Sequence, residues 1–181
     1  MNPINAASIA LPVALAAVLS SCGGGGQSAC AGGFSGGSLV TTTSACPGCQ
    51  VNNAGDAIDG NGSSAADVVF DNSNVNPNGG QVSLKAGGRN YPARSTVGAY
   101  MLFPSGNYTN IAASFVTYLG GVQQEMISGS STGVGGIDGA GSTTFYGGQT
   151  TLAFDAVEAI ASLSGATGPT TVKVFEICGN R

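Results

Sequence analysis

The sequence predicts an all-β protein, a single β-sandwich or jelly-roll-like domain, on three observations. Glycine supplies 31 of 181 residues, far above the roughly 7% of average usage, so the chain is rich in turns. Short runs of β-branched and aromatic residues recur between glycine or asparagine breaks, the pattern of strands joined by tight connections. Hydrophobic residues make up 42% and charged ones only 8%, which gives enough apolar material for a core and too little charge for a disordered chain.

The chain opens with an apolar run at 8–19, SIALPVALAAVL. This is about half to two-thirds of the roughly 20 residues a membrane-spanning helix needs, and it suits the apolar stretch of a secretory signal peptide. It runs into Leu19, Ser20, Ser21 and Cys22, which resembles the bacterial lipobox. The resemblance implies that Cys22 is lipidated and becomes the mature N terminus. Residues 1–8 contain no Lys or Arg, a departure from the positively charged start of such leaders. Gly23 to Gly26 then form a flexible spacer. The expected organisation is a signal peptide over 1–21, a lipidated cysteine and glycine-rich tether over 22–33, and a β-sandwich over 34–181. The protein is expected outside the cytoplasm, at the outer membrane, cell surface or beyond, held to the membrane by its lipid.

Five cysteines leave one without a partner in an exported chain, and lipid on Cys22 leaves Cys30, Cys46, Cys49 and Cys178 as an even set. Three connectivities are open to four cysteines. The preferred one is a clasp from the 46–49 region to Cys178, tying the start of the domain to its last strand. Cys46-Pro47-Gly48-Cys49 also has the spacing of redox and zinc motifs. The βαβ context of a redox site and the second ligand pair of a zinc ribbon are both missing.

Strands are expected at 38–43, 67–70, 81–86, 96–103, 113–119, 122–127, 143–146, 150–154 and 171–177. Gly120-Gly121 stands between two extended runs and can supply the positive φ angles of a two-residue hairpin turn. Over 155–163, Asp155 and Glu158 fit a helical capping box, while Val157, Ala159, Ala161 and Leu163 fit one face of a strand. The strand is the favoured reading. In the last strand, simple alternation sets Val172, Val174 and Glu176 on one face and Lys173, Phe175 and Ile177 on the other.

Composition narrows the function. The five basic residues are Lys85, Arg89, Arg94, Lys173 and Arg181, scattered rather than grouped, so nucleic acid is not an expected partner. The chain has no histidine, and a Ser-His-Asp or Cys-His nucleophile cannot be built. Carboxylate pairs such as Asp155 with Glu158, or Asp56 with Asp59, sit in contexts that turns and caps explain without chemistry, so no enzyme is expected. Asp56, Asp59 and Asn61 share a glycine-bearing turn and are candidate calcium ligands, since hard cations take loop oxygens. Asp and Asn also make such turns unaided.

Two sets of residues resemble known families. Cys46-Pro-Gly-Cys-Gln-Val-Asn-Asn, Asp56-Ala-Ile-Asp-Gly-Asn, Val116-Thr-Tyr-Leu-Gly-Gly-Val-Gln-Gln-Glu and Phe154-Asp-Ala-Val-Glu are similar to β-sandwich domains of bacterial adhesin-like surface proteins. The segment 57–61 also resembles the opening of discoidin-type carbohydrate-binding domains. These resemblances imply a jelly-roll-like fold and an extracellular role in adhesion or matrix. The chain has no tryptophan, where discoidin-type domains carry one soon after that turn.

The expected function is therefore a non-catalytic surface lipoprotein with a structural or adhesive role, able to form a filament or matrix by strand addition. The run 34–45, FSGGSLVTTTSA, could pair with the edge of a neighbouring copy, or else within its own domain. A carbohydrate-binding module of the envelope, with glycan as partner, is the alternative.

Overall fold

Ten strands and one short 3-10 helix, Ala54–Ile58, account for the regular structure of the computed structural model, which describes residues 33–43, 46, 48–71, 80–104, 110–131, 142–165 and 168–180. The strands are β1 Ser38–Thr42, β2 Gln50–Asn52, β3 Ala66–Phe70, β4 Gly80–Tyr91, β5 Thr96–Leu102, β6 Asn110–Leu119, β7 Val122–Ser131, β8 Thr143–Gln149, β9 Phe154–Ser164 and β10 Thr170–Asn180. They follow one hydrogen-bonded path, β1-β4-β9-β6-β7-β8-β5-β10-β3-β2. The path folds back at β7 and β8, which pair, among the described residues, through Ser130 with Gly147 and Ser131 with Tyr146. Layer β1-β4-β9-β6-β7 thus lies over layer β2-β3-β10-β5-β8, with β4 meeting β10, β9 meeting β5 and β6 meeting β8. This is the expected all-β sandwich, joined along one side and open along the other, where β1 and β2 end the path.

Strand alternation builds the core. Val157, Ala159, Ala161 and Leu163 of β9 are buried, as are Val97, Ala99 and Met101 of β5 and Val82, Leu84 and Ala86 of β4. Each large side chain so buried contributes roughly 1.5–3 kcal/mol. Alternation therefore decides 155–163 in favour of strand, and Asp155, instead of capping a helix, accepts the Gly120 N–H at 2.8 Å. Gly120 and Gly121 take φ of 57° and 82° between Leu119 and Val122, which face each other across the predicted hairpin.

Three expectations need correction. Residues 150–153 are not a strand: here the chain leaves one layer for the other, and Thr150 is instead tied to Ser95 by its N–H at 2.8 Å and its hydroxyl at 3.0 Å. The last strand does not alternate evenly, because a bulge falls between Val174 and Glu176. One extra residue reverses the facing of everything after it: Ile177 joins Val172 and Val174 in the core, and Glu176 turns elsewhere. The clasp from 46–49 to Cys178 does not form, since Cys46 and Cys49 are bonded to each other. Cys178 is disulfide-bonded as well, to neither of these.

The Cys46–Cys49 pair closes a β-turn, with the Cys49 N–H donating to the Cys46 carbonyl at 3.0 Å and Gly48 at φ 91°. That positive φ is the demand of a type II turn at its third residue. Local turn chemistry brings the two cysteines together, with Cα atoms 5.4 Å apart.

Candidate ligand face

Phe145 and Tyr100 are brought side by side by the register of β8 on β5. Their neighbours Tyr146, Ala99 and Met101 point into the core, so alternation sends Phe145 and Tyr100 to the outside of the layer. The rings meet edge to face, with centroids 5.3 Å apart and planes at 63°. Both are half-buried. Beneath Phe145 the sheet carries no side chains, because the facing residues are Gly98 and Gly147. A Cβ built on Gly98 would stand 2.5 Å from Phe145 Cζ, and one on Gly147 would stand 3.0 Å from Cε1. The end of the ring, Cε1 and Cζ, therefore lies over bare backbone.

Further along the same surface, Leu102 of β5 pairs with Lys173 of β10. Lys173 Nζ is 2.7 Å from Asp67 Oδ1 of β3. An outward aromatic face bordered by a cation and a carboxylate can stack on the C–H face of a sugar and hold its hydroxyls, because the ring face is electron-rich and the rim donates and accepts hydrogen bonds. None of the motifs singled out in the sequence falls on this site. Its signal lies in the glycines flanking each aromatic, V-G-A-Y at 97–100 and F-Y-G-G at 145–148, and only the pairing of the two strands joins them.

In the loop expected to hold a cation, the side-chain oxygens of Asp59 and Asn61 make local turn bonds. Asp59 Oδ1 accepts the Asn61 N–H at 2.7 Å and its Oδ2 accepts the Ser64 hydroxyl at 2.6 Å. Asn61 Oδ1 accepts the Ser63 N–H at 3.1 Å. Asp56 lies in the first turn of the 3-10 helix. The carboxylate and amide oxygens of 59 and 61 thus build the loop, and no group of three His, Cys, Asp or Glu side chains placed to share a metal exists among the described residues. The paired-carboxylate candidates are engaged likewise: Glu158 accepts the Tyr118 hydroxyl at 2.5 Å while Lys85 Nζ lies 3.2 Å from the Tyr118 ring centre. That hydrogen bond, with burial and the Glu158 charge, pushes the Tyr118 phenol up to about 12.

Glu176 is the other unusual group. It is 1% exposed, and burial pushes its carboxyl up to about 7, helped by the nearby Asp59 charge and opposed by a bond from Gly60. Cys22 and Cys30, the lipidation and disulfide candidates of the leader region, lie outside the described residues. No helix among the described residues is long and apolar enough to cross a membrane.

No protein-family profile matches the sequence, and no curated protein sequence is significantly similar to it. Among solved structures, the chain is similar to a carbohydrate-binding module of the β-sandwich superfamily, at 16% identity and a TM-score of 0.48 over 79% of this chain. It spans 57% of that structure's length. It is also similar to the enzymatically active domain of tailspike protein 4 of bacteriophage CBA120, at 11% identity and a TM-score of 0.40, over 80% of this chain and 20% of the other.

Proposed function

We propose that this protein is a non-catalytic, exported surface module that adheres by holding a neutral glycan against the Phe145 and Tyr100 rings. The observation that carries the reading is the pair of half-buried rings, Phe145 and Tyr100, on the outer side of the layer, with Phe145 laid over Gly98 and Gly147. Core aromatics such as Tyr146 are fully buried, whereas these two rings keep apolar surface on the outside of the layer. The lack of histidine supports a binding role over catalysis. The apolar run at 8–19 and the small residues before Cys22 support export and attachment through a lipid. The intact mass of the mature protein from membranes tests that part, since it reports the acyl chains directly.

A glycan array probed with wild-type protein and with Phe145→Ala tests the binding. Binding to a defined set of neutral glycans, lost in the variant while the circular dichroism spectrum is unchanged, is the expected result. A clean array from folded wild-type protein, or a variant that binds equally, overturns it.

A structural role through assembly is the second reading, favoured by the edge strand. β1, SLVTT, ends the strand path and carries no charge or proline, the devices by which edges normally refuse partners. β1 pairs with β4 of its own domain, from Ser38 with Gly87 to Thr42 with Ser83, which leaves its outward side for another strand. Electron microscopy of concentrated protein distinguishes filaments from monodisperse particles.

A further inference from the structure

The open side of the sandwich is filled by the segment around the 3-10 helix. That helix packs on β10 and β3 of one layer and on β1 of the other, and its Ala57 and Ile58 are buried. Two small contacts from the start of the domain join it: the Ser35 hydroxyl reaches the Asp59 carbonyl at 3.4 Å, and Gly33 lies against Glu176 so closely that a Cβ would stand 2.7 Å from Oε1. Glu176, turned out of line by the β10 bulge, is thus enclosed by both segments.

Its carboxyl is bonded on one side only. The Gly60 N–H donates to Oε2 at 3.1 Å, and Oε1 has no hydrogen-bond partner among the described residues. A neutral carboxyl tolerates such a place far better than a carboxylate, whose charge would lose water on both oxygens for a single bond.

We propose that Glu176 is a proton-operated latch that fastens the 53–64 segment and the Gly33 strand entry over the open side of the sandwich, and that its ionisation releases them. The groups facing it do not offset the charge. From the 53–64 segment comes Asp59, a second negative charge. Tyr100 is its cross-strand neighbour on β5. On its own strand Cys178 is disulfide-bonded and Lys173 is spent on Asp67. Arg89 of β4 grips the Gly33 carbonyl at 3.0 Å, so it holds the same segment by its backbone.

The sign follows from linkage. With the segment closed, the carboxyl sits at about 7, against an ordinary value of 4.5, so the closed form binds more protons and rising pH favours the open one. The opening constant should rise about tenfold per pH unit between those two values and then level off.

Hydrogen exchange at the Gly60 amide, corrected for the intrinsic effect of pH, tests it on the full chain. Wild-type protein is expected to show the tenfold-per-unit rise from about pH 4.5 to about pH 7, and Glu176→Gln, which keeps the shape without the titration, a flat profile. A flat wild-type profile, or an equal slope in Glu176→Gln, overturns the proposal. Where the variant does not fold, the carbon NMR shift of the Glu176 carboxyl in wild-type protein decides: a midpoint coinciding with the opening supports the latch, and an ordinary glutamate midpoint rejects it.

Discussion

The Phe145 ring of β8 rests on the Cα of Gly98 in β5, where a methyl group would fall 2.5 Å from its Cζ and 2.2 Å from the Tyr146 carbonyl oxygen. Gly98→Ala should therefore cost about 1–3 kcal/mol, the range for forcing an extra methyl into a packed site. It should also tilt the ring and weaken glycan binding. Urea denaturation together with the array measures both effects; unchanged stability would show that the ring does not lie where the register places it.

Glu125 acts as a bracket for the crossing between layers. Its Oε1 accepts the Thr151 N–H at 2.8 Å and the Leu152 N–H at 3.1 Å, and its Oε2 accepts the Thr151 hydroxyl at 2.9 Å. Glu125→Ala should cost about 1–2 kcal/mol, the lower part of the range for charge-assisted bonds because these are solvent-exposed. Proteolysis at 150–153 should quicken in parallel. Unaltered denaturation and cleavage would assign the crossing's order to Thr150 alone.

Tyr118 should hold its proton unusually long, since its hydroxyl donates to Glu158 and losing the proton would set two negative charges together. The folded phenol sits at about 12 against an ordinary 10.0. The stabilisation it supplies is thus complete below pH 10 and disappears as pH rises through about 12. The wild-type minus Tyr118→Phe difference in phenolate absorbance isolates this titration, and a midpoint near 10 would remove Glu158 as its cause.

Replacing Cys46 and Cys49 together by Ser should cost only about 2 kcal/mol, because closing so short a loop restricts the unfolded chain little. The sheet content by circular dichroism should be unaltered. The turn itself should survive, carried by Gly48 and the Cys49 to Cys46 hydrogen bond. Global unfolding of the double variant would assign the bridge a larger share of stability than loop entropy allows. Gly80 is the companion test, since a Cβ there would stand 2.8 Å from Cys46 Sγ.

How far the site could be read from the chain varies with the range of the cause. The 120–121 hairpin was legible because two adjacent glycines carry the required φ within the turn itself. β9 was legible through its own alternation, and β4 was foreseen only in part: it runs on through Gly87 and Gly88, where the sequence suggests a break and the ladder tolerates an irregularity. The bulge in β10 has no local marker, and it alone takes Glu176 out of the face that simple alternation assigns to it.

By itself, then, the sequence determined the all-β character, the hairpin and most strand positions, because backbone preference and side-chain alternation act over a few residues. Tertiary structure alone decided that β1 and β2 are edges, that Glu176 is enclosed, and that Phe145 meets Tyr100 and Gly98. These relationships join residues 45 or more positions apart in number. They depend on which strands pair and in what register, which is settled by the packing of the whole core rather than by any one segment.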